Sequence, residues 1–185
     1  MNASSDEQFL KALAIAIVHR PRANLYELAS AVGVSKATLY RTAKTRDQLV
    51  DKVRDHCVVL IKRVIQEARL ETDPPLVALR RLIEGLVAHR EFNSFLLYHW
   101  QPTDGDFNEP GIWAEHEALL DSFFLRGQKE GVFRVDVTAA CLSDCFCSTA
   151  GGLAESEMRG RVARANLPNV IEMLFVNGAV LPSER

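Results

Sequence analysis

Strand signals are almost absent from this chain of 185 residues, which excludes a sheet-based fold and leaves helices to build the core. No run of roughly 18 apolar residues occurs, so no segment reads as a membrane-spanning helix. Asp6 and Glu7 stand where a secretory signal would carry base and then an unbroken apolar stretch. Cysteine is scarce: Cys57, Cys141, Cys145 and Cys147 are too few and too unevenly placed for a secreted disulfide scaffold. These absences predict a cytoplasmic protein with reduced thiols. Repeats and low-complexity tracts are missing. So are a phosphate loop, a nucleophile elbow, a His-Glu metal motif and any pair of acids assignable to one cleft. The expectation is a protein that is not an enzyme and carries no metal or cofactor.

Apolar residues make up 48% of the sequence, enough for one large or two small cores. The periodic segments are helical throughout. They predict an all-α fold in which an N-terminal three-helix domain, residues 1–50, joins through a long fourth helix to a helical domain over residues 51–185.

Residues 24–43 carry the most information, because they read as two short helices around a glycine turn. Leu25, Leu28, Ala29 and Val32 form an i, i+3, i+4, i+7 stripe. Asn24 can cap the first of these helices, and Glu27 sits where a capping box needs a carboxylate. Gly33 permits the positive φ that ends a helix, and Ser35 restarts the chain as the next cap. The second helix, at about 36–42, is too short to persist alone. Val34 and Leu39 can anchor it inward, leaving Lys36, Ala37, Thr38, Tyr40 and Arg41 outside as groove-reading side chains.

Charge is distributed to match. The chain has a net charge of -2, yet from Arg20 to Arg46 there are six Lys or Arg residues and a single acid, Glu27. Phosphate contact supplies most non-specific DNA affinity, so a local basic span matters more than a pI of about 6.2. A solvated helix pair with surplus surface base is the plainer reading of the same residues.

The run from Leu28 to Arg41, followed by Lys44 and Arg46-Asp47-Gln48-Leu49, resembles the DNA-binding domain of TetR-type transcriptional regulators. The match is specific over residues 9–50 and architectural beyond them; a weaker similarity spans 124–137, before the presumed dimerisation helices. The resemblance implies an all-helical homodimer whose recognition helix spans about 35–42. Tyr40 and Lys44 would touch phosphates. Two positions depart from the family pattern. Ala43 stands where an aromatic residue is usual, predicting a looser seat for the recognition helix, and His19-Arg20-Pro21-Arg22 replaces the glycine that usually ends the first helix.

Elsewhere the first helix should span about 6–19, burying Phe9, Leu10, Leu13 and Ile17. Thr45, with Gln48 three residues on, opens a helix continuing to about Leu70, where Asp73-Pro74-Pro75 must stop it. Further helices are expected from near residue 74, over 92–100, over 112–130 with a stop at Gly131, from a cap at Asp136 to 158, and from Asn166 and Pro168 to Gly178. Residues 102–111 read as a loop.

Phe95, Tyr98, His99, Trp113, His116 and Phe124, with Trp100 and Phe123, could line an apolar cavity for a small-molecule effector of unknown identity. Ordinary core aromatics are the alternative. Cys141 and Cys145 lie one turn apart while Cys147 faces another side, a pattern read as buried helix packing in preference to a metal site. A thiol sensor would require Cys145 to be exposed and acidic. Gly151 and Gly152, with the apolar stripes of the last two helices, suit a four-helix homodimer interface, or else mark a kink or break.

The expected function is ligand-responsive regulation of transcription, in the sense of a repressor bound as a homodimer to a near-palindromic double-stranded DNA operator. Arg22, Asn24, Ser35, Lys36, Ala37, Thr38, Tyr40, Arg41 and Lys44 are the expected DNA contacts. The other expectation is a small-molecule sensor or carrier with impaired DNA binding.

Overall fold

The computed structural model describes residues 3–99 and 114–180. Among them are α1 (Ala3–His19), α2 (Leu25–Ala31), α3 (Lys36–Thr42), α4 (Arg46–Ala68), α5 (Pro75–Ala88), α6 (Arg90–His99), α7 (Ala114–Lys129), α8 (Ala139–Met158) and α9 (Leu167–Ala179), with one 3-10 turn at Arg164–Asn166. The fold is all-helical. Trp100, Trp113 and the loop expected over 102–111 lie outside the described residues. No described helix is long and apolar enough to cross a membrane.

Two compact units result. One is Met1–Ile61 with Glu91–Trp100, the other Lys62–Arg90 with Gln101–Arg185. The sequence boundary at 50/51 follows the end of the DNA-binding motif. Compactness instead divides the chain within α4 and draws residues 91–99 into the first unit, because Phe92, Phe95 and Leu96 are buried there. Cys57 belongs to the same interior, and its Sγ donates to the Phe92 carbonyl at 3.9 Å.

In the first unit α1 turns Leu13, Ala14 and Ile17 inward and packs on α2, which packs on α3. The capping box of α2 is complete. Asn24 Oδ1 accepts from the amides of Tyr26 at 2.9 Å and Glu27 at 3.1 Å, and Glu27 Oε2 accepts from the Asn24 amide at 2.8 Å. Gly33 adopts φ 72°, which lets the Val34 amide fold back on the Ala29 carbonyl and reverse the chain before α3. Two side-chain caps open α4: Thr45 Oγ1 accepts from the Gln48 amide and Gln48 Oε1 from the amide of Lys44, one residue before Thr45. α4 ends earlier than its proline stop predicts. Arg69, at φ 53°, takes the left-handed conformation and leaves the helix after Ala68.

The second unit is centred on Phe123, Phe124, Phe133, Phe146 and Phe175, whose rings meet edge-on or tilted at 5.0 to 6.2 Å. Gly127 is required by this packing, since a Cβ there would collide with the Phe133 ring. The cap of α8 is Thr138, not Asp136. Thr138 accepts from the Cys141 amide at 3.1 Å, whereas both Asp136 carboxylate oxygens are occupied by the Arg134 guanidinium at 2.6 Å. α8 passes unbroken through Gly151 and Gly152, so these glycines do not end it. α9 starts at Leu167 with Pro168 in its first turn and continues one residue past Gly178, and Asn166 makes no side-chain cap.

Candidate nucleic-acid interface

Caps at both ends and one buried anchor fix α3. Ser35 Oγ accepts from the Thr38 amide at 3.1 Å and shares a further hydrogen bond with Thr38 Oγ1 at 2.8 Å. Leu39 is wholly buried. Ala43 is also buried, and its amide donates to the Leu39 carbonyl at 3.0 Å, so an alanine here closes the helix without an aromatic plug. This arrangement supplies from tertiary contacts the stability that seven residues cannot supply alone.

The outward side chains form a basic surface. Lys36, Ala37 and Arg41 are exposed on α3, as are Arg22, Asn24 and Lys44 around it. Lys36 Nζ lies 5.4 Å from the Tyr40 ring centroid, a cation–π approach that orients both. Arg22, Asn24, Tyr26, Lys36, Tyr40 and Arg46 surround a hollow of about 510 Å³. Two of these six were not foreseen. Tyr26 is 66% exposed on α2, with only its position on the polar side of the stripe to signal it. Arg46 reaches 25 residues back, its Nη2 donating to the Pro21 carbonyl at 2.8 Å, so the unusual turn after α1 is held from the start of α4. Ser35, Ala37, Thr38, Arg41 and Lys44 do not line the hollow. Ser35 and Thr38 instead spend hydroxyl capacity on the cap.

The residues expected around an effector are divided between the units. Phe95 is wholly buried in the first, stacked on His99 with centroids 4.6 Å apart, and Tyr98 is largely exposed. Burial, then the positive charges of Arg46 and Arg54, hold the His99 imidazole below its ordinary pKa and favour the neutral ring. His116 is buried in the second unit, and Phe124 belongs to its phenylalanine core, matching the alternative of an ordinary core aromatic. A separate cleft of about 690 Å³ opens in the second unit beside Ile65, Arg69, Leu119, Ser122, Phe123 and Arg126. Of the residues expected around an effector, Phe123 lines it, while Phe95, Tyr98, His99, His116 and Phe124 do not.

The α8 cysteines also differ from expectation. Cys141, Cys145 and Cys147 are exposed, so the helix-packing reading does not hold for them. The sensor reading required an acidic Cys145, and its thiol is instead raised, by partial burial, by Cys141 and by Asp144. Only Cys57 is buried, and burial pushes its thiol up to about 12.

A curated relative is similar over nearly the whole of the chain. The chain is 46% identical over 184 residues to the HTH-type transcriptional regulator NfxB of Pseudomonas aeruginosa, with 97% of each chain covered. No protein-family model matches. Among solved structures, the ketosteroid transcriptional regulator KstR2 of Mycobacterium tuberculosis superposes with a TM-score of 0.76 at 14% identity, covering 98% of each chain. The MbdR regulator of Azoarcus sp. CIB gives 0.73 at 18% identity over 96% of this chain and 100% of that one. The TetR-like regulator LfrR of Mycobacterium smegmatis, in complex with proflavine, gives 0.69 at 19% identity over 96% and 97%. With a capped helix on a basic surface and a regulator similar over 97% of the chain, the chain belongs to the helix-turn-helix transcriptional regulators, and its fold is that of the TetR-like regulators.

Proposed function

We propose that the protein is an effector-responsive repressor that acts in the cytoplasm and binds a near-palindromic operator as a homodimer. The observation that carries this reading is the basic hollow beside α3, where cationic and hydroxyl side chains from α2, α3, α4 and the turn after α1 converge. Lys36, Ala37, Thr38 and Tyr40 face base edges in the major groove; Arg22, Arg41, Lys44 and Arg46 meet phosphates. Asn24 and Ser35 hold the two helix starts. A two-fold dimer sets the recognition helices about 34 to 36 Å apart along the operator.

Self-association through α8 and α9 is supported by Met173 and Leu174, which are 54% and 53% exposed, and by the small exposed residues Ala140, Ser148 and Gly152 on α8. A small molecule in the cleft beside Arg69, Leu119 and Phe123 serves as effector. It contacts the last turn of α4, the helix that begins at Arg46 next to the recognition helix. Proflavine in the neighbouring LfrR structure supports an effector of that size. Coupling of about 1 to 3 kcal/mol would change operator affinity roughly 5- to 150-fold.

The reading is tested by gel shift and fluorescence anisotropy on the DNA upstream of the protein's own gene, at several salt concentrations. Lys44→Ala is expected to weaken binding on every sequence and to reduce the salt slope by about one. Unchanged affinity and slope would remove Lys44 from the phosphate contacts, and no retardation by the unaltered protein would sink the proposal.

A further inference from the structure

Pro21 and Arg22 occupy the two central positions of a β-turn, closed where the Ala23 amide donates to the Arg20 carbonyl at 3.0 Å. Proline fixes its own φ but leaves the next peptide plane free to rotate, and the setting of that plane separates the common turn types. Among the described residues Arg69 is the one non-glycine residue at positive φ, so Arg22 does not adopt the left-handed φ that a type II turn requires. The Pro21 carbonyl belongs to the plane in question. It accepts from Arg46 Nη2 at 2.8 Å, a bond across 25 residues of sequence that pins the plane from outside the turn.

Helix preference does not explain Arg46. It is the first residue of α4, where the positive end of the helix dipole disfavours a cation. Its Nε is buried and has no hydrogen-bond partner, so the Pro21 carbonyl is the acceptor that holds the guanidinium. Arg22 follows Pro21 directly, is exposed, and lines the same basic hollow as Lys36, Tyr40 and Arg46. Rotation of the pinned plane would re-aim the Arg22 side chain relative to that hollow.

We infer that Arg46 is a positioning residue for DNA binding: by holding the Pro21 carbonyl it fixes the turn that presents Arg22 to the phosphate backbone. The inference rests on the reading of Arg22 as a phosphate contact. It adds that this contact is made through Arg46, so the two arginines act as one unit and their losses do not add. Lysine is no substitute at 46. Its ammonium is a point charge on a flexible stem, whereas the guanidinium fork can hold the carbonyl with one nitrogen and face phosphate with another.

The test is a double-mutant cycle on the full-length protein, read by fluorescence anisotropy as the salt dependence of binding to duplex DNA from upstream of its own gene. Arg22→Ala is expected to lower the slope of log affinity against log salt by about one. Arg46→Lys keeps the charge at 46 and should also lower the slope by about one, and adding Arg22→Ala in that background should change it no further. Arg46→Ala should lower it by about two, its own contact and that of Arg22. A full further loss from Arg22→Ala in the Arg46→Lys background overturns the inference and leaves Arg22 as an independent phosphate contact. An unchanged slope for Arg46→Lys overturns it as well. An unchanged slope for Arg22→Ala alone removes the phosphate reading of Arg22, and the inference with it. Urea unfolding of the same variants should match that of the unaltered protein; a fall in stability large enough to account for the lost affinity would assign Arg46 to the fold instead.

Discussion

Arg90 Nε donates to Glu157 Oε2 at 2.8 Å with both side chains over nine-tenths buried, and Arg164 Nε completes the cluster on Glu157 Oε1 at 3.1 Å. Burial by itself would raise the Glu157 carboxyl. Hydrogen bonds from Arg164 and Arg90 outweigh it and hold the group below its ordinary value of 4.5. The cluster joins the start of α6 to the last turn of α8 and the turn before α9.

Because the folded carboxyl is the stronger acid, its contribution is complete above about pH 4.5 and disappears as pH falls through the lower folded value. Glu157→Gln leaves Arg90 without its buried counter-charge and is expected to cost about 3–5 kcal/mol. Urea unfolding at pH 7 and pH 4 measures both effects. Equal losses for the variant at the two pH values would show that the ionised carboxylate is not what matters.

Asn24→Ala removes the acceptor for two amides at the start of α2 and is expected to cost about 1 kcal/mol, with Asn24→Ser restoring most of it. DNA affinity should fall with it, since α2 supports α3. If chemical denaturation shows no change while DNA binding collapses, Asn24 is a direct DNA contact and not a cap.

Gly127→Ala forces a methyl group into the Phe133 ring, and both the Val132 and Phe133 amides already close on the Gly127 carbonyl. Overpacking of this kind costs about 1–3 kcal/mol. Gly152→Ala, which meets no other atom of its own chain, should leave the stability of a single protomer unchanged or slightly raised as an alanine in a helix. Thermal unfolding of the two variants should therefore move in different directions.

Leu174→Glu with Met173→Lys places charges on the exposed stripe of α9. Sedimentation should show monomer where the unaltered chain is dimeric, and affinity for a two-half-site operator should fall far more than affinity for one half-site. A variant that sediments as the parent does would move the interface elsewhere.

What was legible in the sequence was local. Caps at Asn24, Ser35 and Thr45 and the turn at Gly33 bond within four or five residues, so composition and spacing were enough to place α2, α3 and the start of α4. Spacing did not show that Arg46 holds Pro21, that Arg134 takes Asp136 away from the head of α8, or that Arg90 and Glu157 meet across 67 residues. The first and last depend on tertiary approach, whereas Arg134 and Asp136 are two residues apart and pair locally, in competition with the cap. The cysteines of α8 misled for a related reason: periodicity told which faces they share, but only the packed helices show which face meets solvent.

The hydrogen bonds at the head of α3 have an evolutionary consequence. Ser35 accepts from the Thr38 amide and Asn24 from two amides of α2, so a substitution at either position lowers fold stability whatever it does for base preference. Lys36, Ala37 and Arg41 carry no such structural duty and point outward. Divergence of operator preference among relatives should therefore accumulate at 36, 37 and 41, while 24 and 35 stay within the small set of residues able to cap a helix.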